Sequence, residues 1–309
     1  MLFNMKIKYI YQFLVPIILF SLGACKEEKL GDIEKISGLG GDEVVPTVID
    51  KWISDSLTTP YNITVKYRWD QFEFSDVSKT LVPPDESKII PLSKVVRSAW
   101  IQPYVQQAGL PFFNKYSPKF FVLSGSYQFL SNGAVVLGQA EGGRKIVVFN
   151  VNNFLTKGTP EYVAARDSSN VKELVHTLQH EFGHILHQNI LYPVEFKTIC
   201  KGLFFGENWI NVSNADARRD GFITAYAGSG FDDDFVETIA MMLTEGKSGW
   251  ENIINSIPDG FSENGTSKAD AQAKLRRKEA LVVSYFKTAW GIDFYELQKK
   301  TRTALTPLL

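Results

Sequence analysis

An α+β fold is what the sequence predicts, with an N-terminal β-rich part and a helical C-terminal part. Three observations carry it. Alternating and β-branched runs bounded by turn residues occupy the first half, apolar residues recur at helical spacing through the second, and the 309-residue chain is 44% hydrophobic. That composition supports an ordinary packed core and excludes a disordered or fibrous chain. The 33 basic and 34 acidic side chains form no block of like charge, so there is no electrostatic footprint for nucleic acid.

The elements follow in order. Lys6 and Lys8, an apolar stretch over residues 10–22 and the run Leu22-Gly23-Ala24-Cys25 predict a secretory signal over residues 1–24. The stretch contains Pro16 and falls short of the roughly 20 apolar residues that a membrane-spanning helix needs. Small residues before a cysteine resemble a bacterial lipobox, which makes Cys25 the lipidation site, bearing palmitate-type chains that hold the mature protein on the outer membrane. Several acyl chains anchor stably where one is marginal. Lys26-Glu27-Glu28 is similar to the signal that carries Bacteroidetes lipoproteins to the cell exterior. With Cys25 acylated, Cys200 is left alone and a disulfide framework is excluded. Residues 25–46, with Ser37-Gly38 and Gly40-Gly41, read as a flexible tether, and residues 47–309 as the folded body.

Within that body Ile63, Val65, Tyr67 and Trp69 alternate with polar residues, predicting a strand over 62–70. A helix over 91–108, interrupted near Pro103, follows the Pro83-Pro84 connection. Strands are expected over 119–124, 134–138 and 145–150, separated by Ser131-Asn132-Gly133 and Glu141-Gly142-Gly143. Ser168, Ser169 and Asn170 offer N-cap oxygens to a helix over 171–190, which stops before Pro193. Helical patterns continue over 232–243, 248–256, 267–290 and 292–304.

All four histidines, His176, His180, His184 and His187, fall within this first long helix. At 100° per residue they lie at about 0°, 40°, 80° and 20° around the axis, forming one stripe. Hydrogen-bonded polar positions on a buried helix would account for one histidine, but not for four on one face. His180-Glu181-Phe182-Gly183-His184 matches the zinc hydrolase motif, in which two imidazoles one turn apart hold Zn²⁺. Glu181 can take a proton from water and pass it to a leaving amine. His187 lies about 10.5 Å along the axis from His180, so it reads as a wall or supporting residue, with metal ligation as the alternative, and His176 as a structural neighbour.

No histidine follows His187, so a carboxylate must complete the site, as in gluzincins. Asp233 and Glu237, in the run 232–240, are i, i+4 neighbours. One can bind the metal while the other accepts a hydrogen bond from a ligand histidine. The plainer alternative is that acids in a first turn cap the helix and complement its dipole.

Taken together, residues 180–188, Tyr192-Pro193, Glu195-Phe196, the run Gly221 to Ala227 and Asp233 to Glu237 resemble the zinc-binding metallopeptidase lipoproteins of Bacteroidetes. The resemblance covers about 170–245 and the leader. It implies a zincin-like fold, one Zn²⁺ per chain, a zinc metallopeptidase activity on peptide or protein substrates, and association with substrate import through a TonB-dependent uptake system. The acidic helix is also similar to that of anthrax lethal factor-type gluzincins, where a tyrosine precedes the liganding acid by seven residues, the spacing of Tyr226 and Asp233. Carried over, Asp233 is the third ligand, Glu237 supports it, and Tyr226 donates to the oxyanion. The family usually has glutamate where this chain has Asp233, so either the helix sits closer or Glu237 binds the zinc instead. The strand over 145–150 is expected to be the edge that binds an extended peptide. Two other readings are a non-catalytic surface binding lipoprotein of a nutrient-uptake system and a purely structural zinc site. Zinc binding alone does not require Glu181, and structural sites use four protein ligands, often thiolates.

Overall fold

The computed structural model describes residues 45–73, 81–130, 133, 135–141 and 144–309; the signal segment, Cys25 and the tether up to residue 44 lie outside them. Thr47–Leu309 forms one unit. It opens with α1 (Val48–Ile53) and β1 (Thr64–Lys66), followed by α2 (Glu86–Val95), α3 (Gln102–Ala108) and α4 (Leu110–Tyr116). Strands β2 (Phe120–Leu123), β3 (Gln128–Phe129), β4 (Val135–Val136), β5 (Gly138–Glu141) and β6 (Lys145–Val148) come next. The rest is built on α5 (Ala164–Asn189), α6 (Asn214–Asp220), α7 (Phe231–Asn255), α8 (Lys268–Trp290) and α9 (Phe294–Leu305). The α+β class holds, although helices precede the sheet as well as follow it. Among the described residues no helix is long and apolar enough to cross a membrane.

Local chemistry sets the boundaries. Asp85 caps α2 by accepting from the Ser87 N–H, and a π-helical turn, Val96–Ile101, leads into α3. That wider turn precedes Pro103, which lacks an N–H and whose ring crowds the carbonyl four residues back in a regular helix. The start of α5 differs from the expected caps at Ser168, Ser169 and Asn170. It lies at Ala164, and the carboxylate of Asp167 accepts from the Val163 N–H at 2.7 Å. The two helices expected over 232–256 form one element, α7, broken where Gly246 takes φ 67°.

The four-stranded sheet has the order β1-β2-β6-β5, parallel through the first three, with β5 antiparallel to β6. This corrects the expected substrate edge. The strand within 145–150 is interior, and β5 is the edge beside the long helix. The sequence carries the reason: Ile146, Val147 and Val148 are all buried, and an unbroken apolar run marks a strand covered on both faces. Residues expected to form one strand over 134–138 are divided, since β4 pairs with β3 as a hairpin and β5 begins at Gly138.

Helix α5 runs between the sheet and α7. The ring of Phe182, inside the zinc motif, packs edge-on against Trp100 at 5.4 Å and Tyr104 at 4.9 Å. Two glycines let neighbours approach α5 closely. A Cβ on Gly183 would stand 2.9 Å from Val236 Cγ1 of α7, and one on Gly138 of β5 would stand 2.3 Å from Thr177 Cγ2. The motif glycine therefore admits the acidic helix, and Gly138 admits the edge strand.

Candidate metal centre

The predicted stripe is real, and each histidine has a hydrogen-bond partner. His180 and His184, one turn apart on α5, bring their Nε2 atoms to 3.1 Å. From α7, Asp233 Oδ1 stands 3.8 Å from His180 Nε2 and 3.6 Å from His184 Nε2. Its other oxygen, Oδ2, accepts from the Ser229 hydroxyl at 2.9 Å, so one oxygen is turned toward the imidazoles. A four-coordinate zinc with bonds of about 2.0–2.1 Å separates its ligand atoms by about 3.3 Å. The three donors already lie near that spacing, so the set fits zinc.

The tautomers agree with this. Glu237 Oε1 is 2.8 Å from His180 Nδ1 and 2.8 Å from His176 Nε2, and its Oε2 accepts from Thr224 Oγ1 at 2.8 Å. A carboxylate only accepts, so His180 carries its proton on Nδ1 and presents the Nε2 lone pair to the cleft. Burial opposes the charge on Glu237, yet His176 and His180 hold its carboxyl well below the usual range. For His180 burial likewise opposes charging, and Glu237 outweighs it, raising the imidazole. His184 Nδ1 lies 3.0 Å from His187 Nε2. Burial first, then His184, pushes His187 down to about 4, which keeps it neutral and able to accept the His184 Nδ1 proton. His187 itself packs edge-on against Tyr192 and Phe235.

A second group, His176, His180 and Glu237, also brings three donors together. It uses the other face of His180 and leaves out His184. Among the described residues, only the group with Asp233 engages both motif histidines. The structure thus brings Asp233 to the pair and places Glu237 behind it, and the short aspartate reaches because α7 lies close at Gly183. No acid of the run acts as a helix cap: α7 has no side-chain cap, Asp232 receives the Tyr192 hydroxyl at 2.5 Å, and Asp234 pairs with Lys278 at 2.6 Å.

Around this centre, Glu181 Oε2 accepts from the Ala140 N–H of β5 at 2.9 Å. Tyr226, in the turn Tyr226–Ser229, stacks on the His180 ring at 5.6 Å and meets Trp209 edge-on at 4.8 Å. It remains 38% exposed to the cleft. Burial, followed by the charge of Asp233, pushes its phenol above the ordinary range, so it stays a proton donor at neutral pH. Two arms of the cleft, of about 470 and about 600 Å³, meet at His180, Glu181 and Tyr226. Ser229, Thr224, Trp209 and Ala140 went unseen in the sequence. Only Ser229 carries a local signal, four residues before Asp233, where a hydroxyl can meet the acid across one turn.

An edge strand against a helix that gathers imidazoles, with a carboxylate arriving from a second helix, is the constellation of a metal-dependent hydrolase. Residues 42–295 match the sequence family described as "Putative zinc-binding metallo-peptidase", and the chain belongs to that family. Its fold is similar to a crystal structure of a protein of the same description from Bacteroides caccae, with a TM-score of 0.63 and 30% identity, covering 84% of this chain and 93% of that one. No curated protein matches the sequence.

Proposed function

We propose that the protein is a zinc-dependent peptidase, lipid-anchored through Cys25 on the outer membrane and facing the cell exterior. The observation that carries the activity is the convergence of His180 Nε2, His184 Nε2 and Asp233 Oδ1 beside the Glu181 carboxylate. These three residues would hold the ion, which when bound supplies Lewis acidity. The rest is done by the chain. Glu181 takes a proton from the attacking water and returns it to the leaving nitrogen. Tyr226 donates its phenolic hydrogen to the oxygen on which negative charge develops. Strand β5, the edge of the sheet, offers an extended substrate a main-chain partner alongside Glu181. Glu237 keeps His180 in the required tautomer and His187 does the same for His184.

Retention of both Glu181 and Tyr226 favours turnover over a binding-only role, because neither is needed to hold zinc. Glu181→Gln tests this. Cleavage of a peptide library should fall by a factor of about 10² or more, while zinc content stays near that of the wild type. Equal cleavage by both proteins would leave a binding lipoprotein as the better reading. The anchored location and a link to a TonB-dependent uptake system rest on the leader and on the family resemblance. Incorporation of labelled palmitate, abolished by Cys25→Ala, tests the anchor.

A further inference from the structure

One arm of the cleft ends in a charge without a counterpart. The arm of about 470 Å³ opens at His180 and Glu181 and reaches Glu173, between the side chains of Val136, Trp209, Ile210 and Val212. Glu173 precedes His180 by seven residues, two turns of α5, so both lie on one face about 10.5 Å apart along the axis. Among the described residues Glu173 has neither a hydrogen bond nor an ion pair, and no lysine or arginine lines the arm. Its side chain is exposed to solvent at the wall of the cleft, and the partial desolvation of that position raises its carboxyl above the ordinary range, with His176 pulling the other way. A cation beside it would relieve that desolvation.

Resting on the peptidase reading above, we propose that this arm receives a lysine or arginine side chain of the substrate, next to the bond that is cut. The alkyl stem lies along the apolar walls and the cationic tip pairs with Glu173. Length and charge select together. A leucine or phenylalanine fills the walls but leaves the carboxylate unpaired, and an acidic side chain is repelled by it.

A position-scanned peptide library, cleaved by the zinc-loaded full chain, should show kcat/KM about tenfold higher when Lys rather than Leu occupies one position beside the cut bond. Glu173→Gln should bring that ratio toward one, and Glu173→Arg should turn the preference toward acidic side chains. Binding gives a readout independent of turnover. Zinc-loaded Glu181→Gln protein should hold an arginine-containing peptide about tenfold more tightly than its leucine counterpart, and adding Glu173→Gln should erase the difference. Cleavage without a basic preference, or a preference that survives Glu173→Gln, overturns the subsite and leaves the peptidase reading intact. An absence of all cleavage together with the binding difference supports the subsite and overturns the peptidase reading. Loss of both results overturns both.

Discussion

Glu237 satisfies three donors with two oxygens, His176, His180 and Thr224, and it does so while buried. Binding a metal would cost it those hydrogen bonds, whereas Asp233 gives one oxygen to the Ser229 hydroxyl and turns the other toward His180 and His184. The division of labour between the two acids follows from that count. Glu237→Gln keeps the shape but places an amide where an acceptor is needed, and it should weaken zinc affinity by about 10–100-fold, as removal of such supporting partners does. Competition with a chromophoric chelator measures it, and unchanged affinity would show that the tautomer lock is dispensable. Tyr226 neighbours Asp233 and the His180 ring. Its phenol faces the cleft from above His180, so Tyr226→Phe should lower kcat by about 10²–10³ with KM little altered. A rise in KM at constant kcat would instead make Tyr226 a binding residue.

Helix α5 meets α7 at a contact that depends on a missing methyl group. Gly183 has no Cβ to strike Val236, and this closeness holds the helix that carries Asp233 near the two imidazoles. Gly183→Ala should drive α7 outward, costing about 1–3 kcal/mol in stability and lowering zinc affinity as Asp233 withdraws. Adding Val236→Ala opens the space again and should recover much of both. Thermal melting with a zinc titration on the three variants reads the two effects, and a single mutant that binds zinc as the wild type does would refute the close-approach account. The sequence made these two helices legible because i, i+4 spacing fixes which side chains share a face. It did not reveal the Asp167 carboxylate reaching back four residues to the Val163 N–H, since serines and asparagine nearby offer equally good oxygens.

Across the whole unit, long-range pairing decides what the pattern of the chain leaves open. The histidines, Glu181 and the acidic run could be read directly. Strand order could be read only in part, because the apolar run 146–148 marks β6 as covered but nothing local marks β5 as the edge, and Ala140 meets Glu181 across 41 residues. The same holds for the buried pair that steadies the acidic helix. Lys278 of α8 is 0% exposed, contacts Asp234 at 2.6 Å, donates to the Gly221 carbonyl at 2.8 Å and lies over the Phe222 ring. Removing one partner strands a buried charge, so Lys278→Met should cost about 3–5 kcal/mol. Adding Asp234→Leu should restore much of it, since a well-packed apolar pair can replace a buried ion pair. Urea denaturation at fixed zinc separates these cases.

The site itself is tested most directly by anomalous diffraction across the zinc absorption edge from crystals of the zinc-loaded protein. One strong peak is expected among His180 Nε2, His184 Nε2 and the Asp233 carboxylate. A peak instead between His176, His180 and Glu237, or none above background at either position, would contradict it.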